Sequence, residues 1–146
     1  MQVSIDIRTA ADSDAPAAIA LWADATIPSA TDDEAAIRGL VARDPEALLV
    51  ATRDGRVIGT LIAGFDGWRG QMYRLAVAPE ERRHGVARAL VDHAETSLRE
   101  RGARRISALV IDDDVARTFW LAAGYDEDER DRRFVKTFAT EAPTSA

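Results

Sequence analysis

At 146 residues the chain is long enough for one domain with an unassisted core, and 25 acidic against 19 basic side chains leave a net charge of −6. That balance argues against general nucleic-acid binding, which needs a basic face to displace counterions, so any anion site must be local. The absence of cysteine removes disulfides, thiolate metal sites and a cysteine nucleophile together.

The opening MQVSIDIRTA lacks a basic region followed by an apolar run, and no stretch approaches the roughly 18 apolar residues of a membrane span. The expectation is a cytoplasmic protein without a membrane partner. VSIDIR alternates Val3, Ile5 and Ile7 with polar residues, the period of a strand with one buried face. DSDAPAAIALWADA reads as a helix, with acids and Ser13 at its start and Pro16 in its first turn. A second helix follows, in which Thr31 and Glu34 have capping-box spacing, Ile37, Leu40 and Val41 form an apolar stripe, and Asp44-Pro45 makes the stop.

ALLVATRDGRVIGTLIAG holds two apolar runs around Asp54-Gly55, the signature of a tight hairpin. The glycine-punctuated loop FDGWRG (65–70) leads into a further strand, QMYRLAVAP, stopped by Pro79. From Gly85 to Arg101, Ala87, Val91, Ala94 and Leu98 recur at helical spacing, and Gly102 stands at the C-terminal cap. RISALVI (105–111) is a short apolar strand, so the unit is strand, helix, strand, with a parallel pair and a right-handed crossover. Asp112 to Asp114 open a last helix carrying Ala116, Phe119, Trp120 and Ala123, with Gly124 at its end. RRFVKTF (132–138) reads as an outer strand closing a single domain over 1–139, and residues 140–146 as a disordered tail.

The segment ERRHGVARALV (81–91) sets a cationic, glycine-bearing turn where a strand hands over to a helix. Unpaired amides and the dipole make such a turn an anion site; Gly85 permits close approach, and Arg82, Arg83 and His84 add donors suited to a pyrophosphate. Neither GxxxxGK[ST] nor GxGxxG is present, so the two common nucleotide loops are missing.

Arg82-Arg83-His84-Gly85-Val86-Ala87 resembles the acyl-CoA signature of the GNAT superfamily of N-acetyltransferases: glutamine or arginine, two residues of any kind, glycine, any residue, then glycine or alanine. It follows LAVAP, a strand ending usual in that family, and ARTFWLAAGY resembles the family's second motif. GFDGWRG is similar to the corresponding stretch of small bacterial members of the YpeA type. The resemblance implies a mixed α/β fold, with a central sheet of about seven strands flanked by four helices in the order β-α-α-β-β-β-α-β-α-β-β from Val3 to Phe138. It implies acetyl-CoA as co-substrate with no metal. The backbone of Leu75, Ala76 and Val77 would pair with the pantetheine arm, and the turn from Arg82 to Arg88 (Arg82, Arg83, His84, Gly85, Val86, Ala87 and Arg88) would wrap the pyrophosphate. Asp113 falls where many members carry an asparagine that contacts the pantetheine.

One departure concerns the acid. Many members protonate the departing thiolate with a tyrosine where this chain has Trp120, whose indole N–H does not titrate usefully. Trp120 either lines the CoA channel or packs in the core. Only Tyr125 and Tyr73 remain as candidate acids; Tyr73 lies on the face of Leu75 and Val77 if the strand alternates regularly. Asp66 is the candidate base.

The function expected is direct transfer of an acetyl group to a primary amine in a ternary complex, since no covalent acyl-enzyme nucleophile is visible. The acceptor is a small-molecule or peptide amine met by the first two helices and the FDGWRG loop, where Trp22, Asp24, Asp32, Asp33 and Trp68 suit a cation. The alternatives are a non-catalytic acyl-CoA-binding or regulatory module and a ribosomal-protein N-terminal acetylase. Outer strands and Trp68 offer surface for a homodimer.

Overall fold

The computed structural model describes residues 4–139. Val3 of the first predicted strand and the tail predicted at 140–146 lie outside the described residues.

Five strands form one sheet in the order β1-β2-β3-β4-β5: β1 Asp6–Thr9, β2 Leu48–Arg53, β3 Arg56–Phe65, β4 Gly70–Val77 and β5 Ile106–Ala108. The first four pair antiparallel, and β4 and β5 run parallel as the strand-helix-strand unit requires. The helices are α1 Ala15–Ala25, α2 Glu34–Arg43, α3 Val86–Glu100 and α4 Asp114–Ala122, with 3₁₀ turns at Asp12–Asp14 and Pro79–Glu81. None of them is long and apolar enough to cross a membrane.

Two cores flank the sheet. Leu49 and Ala51 of β2 join Leu61 and Ala63 of β3, Met72, Trp120, and the α3 stripe Val86, Leu90, Val91, Ala94 and Leu98. The alternate β2 residues Leu48 and Val50 face α1 and α2, packing with Leu21, Trp22, Ile37 and Ala76. β2 is thus buried on both faces, which is why Leu48 to Ala51 form an unbroken apolar run. The hairpin turn falls on Asp54 and Gly55, at φ 52° and 76°.

Three expectations are corrected. The sheet has five strands rather than about seven, and the predicted order is only partly matched: RRFVKTF forms no strand, and Phe134 and Phe138 are 94% and 80% exposed. Aromatic and β-branched content favours a strand only where a neighbouring edge receives it. The strand predicted over 105–111 ends at Ala108 because the chain leaves the ladder there. The cap of α2 is Asp33, whose carboxylate accepts from Ala36 N at 2.7 Å, two residues after the predicted Thr31.

Candidate active site

The turn between β4 and α3 is made by backbone. Ala78 N donates to Ile58 O, the 3₁₀ turn follows, and Arg83 and Gly85 adopt φ values of 66° and 80°. Gly85 is the N-cap of α3 with no side-chain cap, and no acid occupies the first turn. The first-turn amides of Val86, Ala87 and Arg88 therefore lie outside the i→i−4 ladder, which begins with Ala89 N donating to Gly85 O at 3.0 Å. A Cβ added at Gly85 would meet nothing within 4 Å, so the space before these amides is open.

The same helix start is seated by β3. A Cβ on Gly59 would lie 2.9 Å from Val86 Cγ1 and 3.1 Å from Leu90 Cδ1, so only glycine lets α3 sit this close. Glu81, the acidic residue just before the arginines, is 8% exposed and turned inward. Its carboxylate accepts from Arg53 Nε at 3.1 Å and lies 3.6 Å from Arg56 and 3.9 Å from His84 Nδ1. Arg82, Arg83 and His84 are exposed, and among the described residues no carboxylate pairs with Arg82 or Arg83. Arg88 meets Asp92 one turn on.

The second part of the site is a break in β4. Its pairing with β5 covers only Gly70↔Ile106, Gln71↔Ser107 and Met72↔Ala108, closed by Leu109 N donating to Met72 O. Beyond Met72 the β5-facing side of β4 has no strand partner among the described residues. On the other side the register shifts from Ile62↔Tyr73 to Thr60↔Ala76, a bulge in which Arg74 takes φ 56°. A non-glycine residue held there costs on the order of 1–2 kcal/mol. The bulge also changes faces: Met72, Leu75 and Val77 turn to the α3 core, whereas Ala76 turns to the α1 core. Tyr73 is consequently not on the face of Leu75 and Val77, which corrects the expectation from regular alternation.

Arg74 lies in a polar network that bridges the sheet and the α1–α2 connection. Nη1 donates to Thr26 Oγ1 and Ile27 O, both at 3.0 Å, and Nη2 meets both Asp32 carboxylate oxygens at 2.5 Å. The guanidinium lies 5.4 Å from the Trp22 ring centre. Arg74 O accepts from Thr60 Oγ1 at 3.0 Å, and that hydroxyl accepts from Trp22 Nε1 at 2.8 Å. Sequence reasoning passed over Arg74, Thr60 and Thr26. The available signal was the arginine itself, a charge interrupting MYRLAV.

The other predicted residues are placed as follows. Tyr73 adjoins the bulge; its hydroxyl donates to Gln71 Oε1 at 2.6 Å, and burial pushes its pKa up, with a smaller opposing pull from Arg133. Tyr125 packs edge-on against Trp120 at 4.9 Å and donates to Glu95 Oε1 at 3.1 Å, with its pKa pushed up by burial and then by that carboxylate. Glu95 lies nine residues along α3, about 13 Å from its first residue. Trp120 is 8% exposed and belongs to the α3 core. Asp66 accepts from the amides of Arg69 and Trp68, which hold its carboxyl below the usual range. It precedes Gly70, itself about 13 Å along the strand from Arg74, so the structure does not bring Asp66 to the bulge. Asp113 caps α4 by accepting from Val115 N at 2.7 Å. Of the predicted acceptor rim, Asp32 is paired with Arg74, Asp33 caps α2, Trp22 is buried, and Trp68 stands 69% exposed with Arg69 stacked at 4.0 Å.

A sequence model described as the acetyltransferase (GNAT) family matches residues 12–125. The chain belongs to the GNAT family of acetyltransferases. An acetyltransferase of Photorhabdus laumondii is 35% identical over 133 residues, covering 90% of this chain and 92% of the relative. Another, from Pectobacterium atrosepticum, is 34% identical over 77% of this chain and 80% of its own length. Among solved structures, the fold matches Ard1 of Thermoplasma volcanium with a TM-score of 0.71 at 25% identity, over 84% of this chain and 82% of that one. It also matches the PaiA N-acetyltransferase of Thermoplasma acidophilum in complex with coenzyme A, with a TM-score of 0.75 at 17% identity, over 88% and 93%. The residues present suit an acyl-CoA of the kind a GNAT protein uses: open helix amides, a positive-φ glycine and exposed arginines where phosphates would sit, then a strand edge without a partner strand among the described residues for an amide-bearing arm.

Proposed function

We propose that this GNAT protein is an acetyl-CoA-dependent N-acetyltransferase that acetylates a primary amine by direct attack in a ternary complex. The observation that carries the reading is the β5-facing edge of β4, which has no strand partner beyond Met72 among the described residues and leads to the open first-turn amides of α3. The α3 amides with Arg82, Arg83 and His84 hold the pyrophosphate, and the backbone of Leu75, Ala76 and Val77 aligns the pantetheine arm. Amides at the bulge steady the thioester carbonyl oxygen as charge gathers on it.

Balance requires a C–N bond to form, the C–S bond to break, one proton to leave the amine and one to reach the thiolate. An alkylamine with pKa near 10.4 is neutral only about once in a thousand molecules at pH 7, so its proton must be shed first. Water in the cleft takes it, since Asp66 lies away from the bulge and is held ionised by its own loop. Tyr73 is the acid: burial keeps its phenol protonated, and it adjoins the bulge. The Tyr73 hydroxyl donates to the neutral Gln71 Oε1, a contact it can exchange for the thiolate, whereas Tyr125 donates to the Glu95 carboxylate nine residues along α3.

The acceptor enters between the bulge and the α1–α2 connection, residues 26–33. The Asp66–Arg69 loop, at the other end of β4, plays a lesser part. A primary amine fits both the small-molecule and the peptide class. A cytoplasmic location suits this chemistry, and the exposed Phe134, Val135 and Phe138 supply apolar surface for a homodimer.

Calorimetric titration with acetyl-CoA and CoA, followed by thiol release against a panel of small amines and peptides, tests the reading. Binding with amine-dependent thiol release is expected. Binding without turnover over a broad panel would replace the enzyme with a regulatory module, and a peptide-only response would indicate an N-terminal acetylase. No binding by folded protein would overturn the assignment of the turn.

A further inference from the structure

We infer that Arg74 is a positioning residue for the acceptor, tying the 26–33 connection to the β4 bulge so that the cleft wall and the strand beneath the thioester hold one fixed geometry. The inference rests on the proposed acetyl transfer, because it assigns the space between these two segments to the amine.

The starting point is an outlier. Arg74 takes a left-handed φ of 56°, where a glycine would serve the backbone without strain. Its side chain gives what a glycine cannot. The guanidinium is only 17% exposed and reaches three groups of one segment: Thr26 at the end of α1, the Ile27 carbonyl, and Asp32 just before α2. Asp32 also accepts from Ser29 N at 3.0 Å, so the segment closes on the carboxylate that Arg74 holds. The peptide of Arg74 is fixed as well, since Thr60 donates to its carbonyl oxygen while accepting from Trp22. One residue therefore contributes backbone to the bulge and side chain to the opposite wall. A change at Arg74 that freed the wall would misplace the amine while leaving the α3 amides, and hence the phosphate grip, intact.

An ordinary buried ion pair would stiffen the fold without distinguishing the two substrates, so the test separates their steady-state constants. Arg74→Lys keeps the charge but cannot span Thr26 and Asp32 together. It should raise the acceptor KM at least tenfold while the acetyl-CoA KM and the calorimetric Kd for CoA stay within twofold. Asp32→Asn should move the acceptor KM in the same direction. Arg74→Gly removes the backbone strain along with the side chain and should show the same split whatever its melting temperature. Equal losses for both substrates, or an unchanged acceptor KM in the lysine and glycine variants, would overturn the inference.

Hydrogen exchange supplies a readout independent of turnover. In Arg74→Lys the amides of residues 26–33 should exchange at least tenfold faster, with those of residues 89–94 unchanged, in both the free protein and the CoA complex. Unaltered exchange at 26–33 would overturn the tether even if no amine proved to be a substrate. Failure of wild-type turnover across the panel would instead count against the proposed acetyl transfer.

Discussion

The two ends of the site are built from different materials. At the α3 end the groups offered to the proposed CoA are backbone amides from consecutive residues, shaped by Arg83 and Gly85 at positive φ and seated by the bare Gly59. At the bulge the geometry is held by side chains remote in sequence: Trp22, Thr26, Asp32, Thr60 and Arg74. A site made of consecutive backbone tolerates side-chain change wherever conformation and charge are respected. A site made of a network fails when a single partner is lost.

The sharpest way to break this contrast is at Gly85. Asparagine and aspartate both tolerate the left-handed region and differ by one charge. Gly85→Asp should weaken CoA binding by on the order of 100-fold, because a carboxylate some 5–6 Å from a phosphate costs about 3 kcal/mol at an effective dielectric near 20. Gly85→Asn should stay within severalfold of wild type, since nothing in the protein crowds the new Cβ. Calorimetry on both variants decides; equal losses would mean that the turn needs glycine for contact with the ligand and that charge is secondary.

The network end is tested by Thr60→Val, which preserves shape while removing the partner of both Trp22 Nε1 and Arg74 O. Thr60 is fully buried, and each orphaned group costs roughly 1–3 kcal/mol, so chemical denaturation should show a loss of at least about 2 kcal/mol. CoA affinity should change less than twofold. A parallel loss of CoA affinity would show that the two ends are not separable. Gly59→Ala addresses the seat they share. Its new methyl would lie 2.9 Å from Val86 Cγ1, and overpacking of this kind costs about 1–3 kcal/mol. Because Val86 opens α3, CoA affinity should fall severalfold along with stability, which titration and melting of the same variant would reveal.

The same division explains what could be read from the sequence. The hairpin at Asp54-Gly55, the α3 stripe and the cationic turn are local patterns in which the residues that make the feature are neighbours; the hairpin and the turn lie where the pattern put them, and the stripe buries Val91, Ala94 and Leu98 as expected, with Val86 and Leu90 in place of the half-buried Ala87. The bulge is not local. Regular alternation put Tyr73 with Leu75, and only the pairing of β4 against β3 reveals that Arg74 breaks it. The Arg74 network joins residues up to 52 apart in sequence, from Trp22 to Arg74, and no spacing rule connects them. RRFVKTF failed for a related reason: its composition suits a strand, yet pairing depends on an edge elsewhere in the fold.

A side-chain hold far from the chemistry gives the smallest and most pH-dependent effect. Asp14 accepts from both ends of the Arg8 guanidinium, at 2.7 and 3.0 Å, and from Ala11 N at 2.7 Å, joining β1 to the start of α1. The Arg8 hydrogen bonds hold its carboxyl below the ordinary 3.8, against the opposing pull of burial. A depressed folded-state pKa means that the unfolded chain binds the proton first as pH falls, so stability rises with pH across this range. The contribution is complete above about pH 5, begins to drain as pH passes 3.8, and is gone below the folded-state value. Asp14→Asn should lower stability modestly at pH 7 and flatten the fall between pH 5 and 3 in acid-unfolding series, with CoA affinity at pH 7 unchanged. An undiminished slope in the variant would place the acid sensitivity on other carboxylates.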